Sequence, residues 1–258
     1  MKRLPATLFL LAGLGILGVC IAFIFAMNEE RQRKMTCTGL QVEFADQRTF
    51  VTREDIEGYL KKEYGAYIGQ RLDSVDLKKV EQILDSKSAI RKTEAFTTPD
   101  GYLNVIVYQR EPFVRFQKGA IGFFADEKGF LFPLQRNFVS TVPIIDGAVP
   151  LDFSAGFKSE PKSESQKQWL ADILSLVSHM NKSRVWAKNI AQITVEGNGD
   201  LVLVPRQGKE RFLFGKPVEI GEKFARIEKY YSAILPEKGA GYYSTVNVKY
   251  HKQIVCRK

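Results

Sequence analysis

Three cysteines, two histidines and two tryptophans are all that the 258 residues contain. So few thiols exclude a disulfide-stapled scaffold, and so few imidazoles leave little from which to build a zinc centre. No Gly-x-Ser-x-Gly elbow, His-Glu-x-x-His helix or Walker loop occurs, so the common hydrolase, metalloprotease and nucleotidase signatures are missing. Blocks of charge of one sign are missing as well: lysine and arginine are dispersed, although the net charge is +9. Their densest zone (Arg71, Lys78, Lys79, Lys87, Arg91 and Lys92) reads as a solvated helix face rather than a nucleic-acid patch. With 45% hydrophobic and 26% charged residues, the composition is that of a folded chain, neither disordered nor collagen-like.

What the chain does have is one long apolar run. Leu4 to Met27 carries no charge, and as a helix at about 1.5 Å per residue it would span a hydrocarbon core of about 30 Å. Lys2 and Arg3 precede it, and a mixed-sign stretch of Glu29, Glu30, Arg31, Arg33 and Lys34 follows. The run is longer than the core of a cleaved export signal, and Val19 before Cys20 is too large for a lipoprotein cleavage site. The expected order is therefore a cytoplasmic tail (1–3), a single transmembrane helix (4–27) and a spacer (28–37), with everything after it exported. Cys37 and Cys256 would then face an oxidising compartment, yet nothing in their spacing argues for a pair.

Residues 38–112 read as a small α/β module. Leu40 to Phe44 alternates strictly, as a strand does. Thr52 is a helix cap with Asp55 at the third helical position, and Ile56, Tyr59, Leu60 and Tyr64 follow at helical spacing up to Gly65. Asp73 marks a second expected helix start, with Leu77, Val80, Ile83 and Leu84 as its stripe. Ile90–Thr97 and Tyr102–Tyr108 flank Pro99-Asp100-Gly101 as a β-hairpin. Arg110-Glu111-Pro112 closes the module, since Pro112 cannot sit in a central ladder.

Residues 113–258 are strand-rich. Ile121–Ala125 and Phe130–Phe132 flank a four-residue loop, and Val142 to Gly147 is a short apolar segment ending in a turn. Residues 150–165 read as a surface loop. Trp169, Leu170, Ile173, Leu174, Val177 and Met180 give an amphipathic helix, and Phe224, Ile227, Tyr231, Ile234 and Leu235 a second. Between them, Ile190–Glu196 and Leu201–Val204 flank Gly197-Asn198-Gly199-Asp200, a hairpin turn rather than a calcium loop, and Arg211–Phe214 adds a strand. Ser244–Lys249 and Gln253–Arg257 are the final strands. The fold class is α+β: a transmembrane helix, a β-α-α-β-β module, then a mixed, mostly antiparallel β-domain with two packed helices.

A basic tail, one apolar helix, a β-α-α-β-β module closing in Arg110-Glu111-Pro112 and a β-rich domain: this order resembles the bacterial cell-division family FtsQ/DivIB, and the module resembles a POTRA domain. Phe123-Phe124-Ala125-Asp126-Glu127-Lys128-Gly129-Phe130-Leu131-Phe132-Pro133 is similar to the segment opening the family's β-domain. Val142-Pro143-Ile144-Ile145-Asp146-Gly147 is similar to its Pro-apolar-apolar-x-Gly step, and Val246-Asn247-Val248-Lys249-Tyr250 to its terminal Val-Asp-Leu-Arg-Tyr. Asn247 and Lys249 depart from that last pattern, and a lysine is a point charge where arginine offers a bidentate fork.

The resemblance implies a non-catalytic scaffold of the division machinery in the bacterial inner membrane, its bulk periplasmic, gathered at the septum to regulate wall synthesis. The implied partners are other division proteins, above all a small coiled-coil protein of the FtsB/DivIC type and its FtsL-type companion. A sheet edge is the natural receptor for such a partner, because a strand can be added to it. The candidate contact residues are Lys249, Tyr250, Lys252, Gln253, Ile254 and Val255, with Tyr250 as the anchor unless it packs onto the last helix. No catalytic residue, metal or cofactor is expected. His179 suits a helix C-terminus and His251 a tight turn, and neither has a sequence neighbour that would make it a base or a ligand. The alternatives are a POTRA-bearing outer-membrane assembly or transport component, and an anchored periplasmic enzyme whose carboxylates meet only in space.

Overall fold

The computed structural model describes residues 14–23, 35–47, 50–134, 141–152 and 157–258. Residues 14–23 are helical, with Leu14, Ile16, Leu17, Val19, Ile21 and Phe23 all exposed. The rest of the expected 4–27 span lies outside the described residues, and among the described residues no helix is long and apolar enough to cross a membrane. The chain divides into two units, Met1–Gln109 and Arg110–Lys258.

In the first unit β1 (Gly39–Phe44) runs parallel to β3 (Tyr102–Gln109), which pairs antiparallel with β2 (Ile90–Thr97), in the order β1-β3-β2. Leu103, Val105 and Val107 of β3 are buried in alternation, the period-two pattern that fixes the register. Helix α1 (Arg53–Glu63) starts in a reciprocal capping box: Asp55 N–H donates to the Thr52 hydroxyl, and Thr52 N–H donates to the Asp55 carboxylate at 2.9 Å. Val51, just before the cap, is buried, as are Ile56 and Leu60 of the helix. Helix α2 (Leu77–Asp85) begins later than Asp73. Asp73 instead lies in a 3-10 turn, Leu72–Ser74, paired with Arg71, and extended Val75 interrupts the chain. Asp76 is the true cap, accepting from Lys79 N–H at 3.0 Å.

The second unit is built on a nine-stranded sheet in the order β12-β11-β10-β9-β8-β7-β4-β5-β6. Its strands are β4 (Val114–Lys118), β5 (Ile121–Ala125), β6 (Leu131–Pro133), β7 (Ile144–Gly147), β8 (Ile190–Val195) and β9 (Leu201–Pro205), then β10 (Arg211–Gly215), β11 (Thr245–Asn247) and β12 (Val255–Arg257). β4 is an addition to the sequence reading, although Val114 and Phe116 are buried in the alternation of a strand. β7 pairs parallel with both β4 and β8. Its last residue, Gly147, has φ of 83°, and a Cβ there would stand 2.3 Å from the Val195 carbonyl oxygen, so no other residue fits.

Helix α3 (Glu164–Lys182), capped by Ser163, buries Leu170, Ile173, Val177 and Met180 in the core. A short helix, α4 (Trp186–Asn189), follows and was not legible from periodicity. The last helix is α5 (Ile220–Lys229), continued through a π turn (Tyr230–Ile234) into α6 (Leu235–Lys238). Phe224, Ile227 and Tyr230 face the same core, and Phe224 packs against both His179 and Trp186 with ring centroids 5.1 Å apart. At the start of the unit Arg110 pairs with Asp126 at 2.9 Å, the two side chains only 13% and 10% exposed. The Asp126 carboxylate also accepts from Lys128 and Phe130 N–H, both at 3.0 Å, which shapes the β5–β6 turn.

Candidate functional site: a sheet edge and the turn beside it

The two edges of the large sheet are finished differently. Beyond β6, Leu131 and Ser159 exchange both backbone hydrogen bonds, at 3.0 and 3.2 Å, so that edge is partly covered. β12 pairs only with β11, and among the described residues no strand lies on its outer side. The smaller sheet's edges are blunted by side chains: Glu81 accepts from Ala95 N–H of β2 at 2.9 Å, and Arg53 donates to the Leu40 carbonyl of β1 at 2.9 Å.

β12 is shorter than the sequence suggests, and so is β11. Asn247 accepts from Lys249 N–H at 3.1 Å, an Asx-type turn that takes the chain out of the ladder. Lys252 sits at φ of 55°, and only from Val255 does pairing resume. Of the six candidate residues, Lys249, Tyr250, Lys252, Gln253 and Ile254 therefore lie in the connection between β11 and β12, and Val255 alone lies in the edge strand. Val255 is 38% exposed, while Ile254 and Cys256 pack partly against the core.

Tyr250 is 50% exposed, so it is not packed away onto the last helix. The Lys249 ammonium lies 5.3 Å from its ring centroid and 3.3 Å from the Asp200 carboxylate. The hydrogen bond to Asp200 raises the Lys249 pKa above its ordinary value, with Tyr250 adding to it. Asp200 comes from the β8–β9 turn and is also 3.8 Å from Lys216. Its arrival beside Lys249 is a product of the sheet order, and nothing local in the sequence announces it. The buried Arg226 guanidinium donates to the Val248 carbonyl at 2.9 Å, which ties the start of the same turn to α5.

The two histidines have different surroundings. His179 is stacked on Phe224. His251 does have a neighbour, one that sequence distance hid: its Nδ1 is 3.5 Å from Glu222, with Glu219 close by. Among the described residues these three are the one group of metal-capable side chains that meets. All are exposed, and Glu222 is shared with Arg226 at 3.6 Å, so the arrangement is a polar cluster on the surface. Cys37 and Cys256 are free thiols in separate units.

Residues 35–108 match a POTRA-like domain, and residues 111–257 match the family described as FtsQ/DivIB, C-terminal related. No curated protein matches the chain. The second match covers more than half of the sequence and takes in the whole nine-stranded sheet, the edge strand included. The chain belongs to the FtsQ/DivIB family of cell-division proteins.

Proposed function

We propose that the protein is a non-catalytic, membrane-anchored scaffold that assembles other division proteins and so regulates septal wall synthesis. The apolar run 4–27 tethers it to the inner membrane with the bulk periplasmic, the POTRA-like unit docks membrane proteins near the bilayer, and the β-domain captures a small coiled-coil partner of the FtsB/DivIC type with its FtsL-type companion. The observation that carries this reading is the β12 edge, which no strand covers among the described residues, whereas the other sheet edges are bridged or blunted. An extended partner segment laid along β12 would gain main-chain hydrogen bonds, with Tyr250 and Val255 offering half-exposed apolar contacts beside it. Lys249 and Lys252 would be rim charges, contributing more to encounter than to affinity.

Affinity purification of the full-length protein from membranes tests this. We expect small single-pass coiled-coil proteins and septal wall synthases to copurify, and to be lost when residues 250–258 are deleted. Tyr250→Ala should weaken capture about 30-fold, as loss of a 2 kcal/mol anchor does, with no change in the melting midpoint. Undiminished capture by the truncated chain, or recovery of outer-membrane assembly factors instead, would overturn the proposal.

A further inference from the structure

Away from the β12 edge, a recess of about 480 Å³ lies where α4, the end of β9 and the π turn of the last helix come together. Val185, Trp186, Asn189, Gln207, Glu228 and Tyr231 line it, and none of its lining residues is basic. The volume falls within the range of about 300–1,000 Å³ typical of pockets that hold a discrete chemical group. Its apolar part is the half-buried Tyr231 ring, whose centroid lies 6.4 Å from that of Trp186, a core side chain only 3% exposed. The Trp186 indole N–H donates to one Glu228 carboxylate oxygen at 3.2 Å, which fixes both groups.

Three of the polar side chains that line the recess are exposed and have hydrogen-bonding capacity that no protein group takes up among the described residues. The second Glu228 oxygen has no hydrogen bond or ion pair among the described residues, although the chain carries a net charge of +9 and could readily have supplied a cation. The Asn189 and Gln207 side chains likewise make no hydrogen bond among the described residues. A carboxylate, two amide oxygens and the accessible part of one tyrosine ring together suit a planar cation with several N–H donors. That is a guanidinium group, which pairs side-on with a carboxylate and stacks on rings, where an ammonium is a compact point charge. Tyr231 and Ser232 of the lining lie in the π turn, a local irregularity that recurs at binding sites.

We propose that this recess receives an arginine side chain of a partner polypeptide, with Glu228 pairing its guanidinium beside the Tyr231 ring. The site is separate from β12 and does not depend on what that edge binds.

The test uses the full-length protein in detergent micelles with tryptophan indoles labelled with nitrogen-15, and N-acetyl-arginine methylamide as the probe. The two indole signals report on Trp169 and Trp186, and only that of Trp186 should shift, saturably. The neutral citrulline analogue should bind at least 10-fold more weakly, and the lysine analogue should also be weaker. Glu228→Gln keeps an acceptor for the indole and removes only the charge, so it should weaken arginine binding at least 10-fold at an unchanged melting midpoint. Equal binding of the citrulline analogue, insensitivity to Glu228→Gln, or no saturable shift of Trp186 would each overturn the proposal.

Discussion

Asp126 has two duties, and removing its side chain would abandon both. It neutralises Arg110, whose guanidinium also lies 3.5 Å from the Phe130 ring centroid, and it holds the β5–β6 turn through two backbone N–H groups. Asp126→Ala would leave a buried cation without its partner, so it should cost about 3–5 kcal/mol in denaturant unfolding. Asp126→Asn keeps the turn acceptor and should cost clearly less. Tyr230 gives a pH-dependent case. Burial, with the nearby Glu210 carboxylate adding to it, pushes its hydroxyl up to about 12. A folded-state value raised above the unfolded one means that the neutral phenol is favoured by folding. This stability is fully present below the unfolded value of about 10 and is lost as pH rises towards about 12. Between about pH 9 and about pH 11.5 the wild type should therefore lose more stability than Tyr230→Phe. At this scale the sequence showed Asp126 only as a turn residue, because its partner sits 16 positions away with no periodicity to link them.

Among the elements, those that declare themselves locally were legible. The capping box at Thr52, the Gly101 and Gly199 hairpin turns and the alternation of β3 each depend on neighbours within a few residues. β4 carries the same alternation in Val114 and Phe116, yet its five residues, starting two positions after Pro112, are too short a run to stand out as an element. α4 is a single turn, too short for a helical period to show. The start of the second helix is ambiguous in the sequence because Asp73 and Asp76 can both cap it, and only the extended Val75 between them decides. The last two strands are shorter than their apolar patterning because Asn247 and Lys252 break the ladder by conformations that the patterning does not reveal. Gly147 offers the sharpest test of an element. Gly147→Ala would need both a left-handed backbone and a Cβ inside contact distance of the Val195 carbonyl, so a loss well above about 1 kcal/mol is expected in thermal or denaturant unfolding.

At the level of the whole molecule, the sequence carried the succession of a small α/β unit and a larger β-rich one but not the order of strands in the sheets. β11 lies parallel to β10 and β7 lies between β4 and β8, pairings between segments tens of residues apart that leave no local trace. The candidate site shows the same division. Its residues were read from the terminal motif, whereas Asp200 and Glu222 reach the turn only through the sheet order and the placement of α5. β7 has a further consequence. Among the described residues, this four-residue strand is the one that joins the β4–β5–β6 meander to the six-residue and shorter strands from β8 onward in the sheet. If that junction opens, the sheet parts into two cooperative blocks, each keeping its own antiparallel ladders. In native-state hydrogen exchange, the amides of β4 to β6 should then exchange together and ahead of those of β8 to β10, so that one sheet in the structure behaves as two foldons in time.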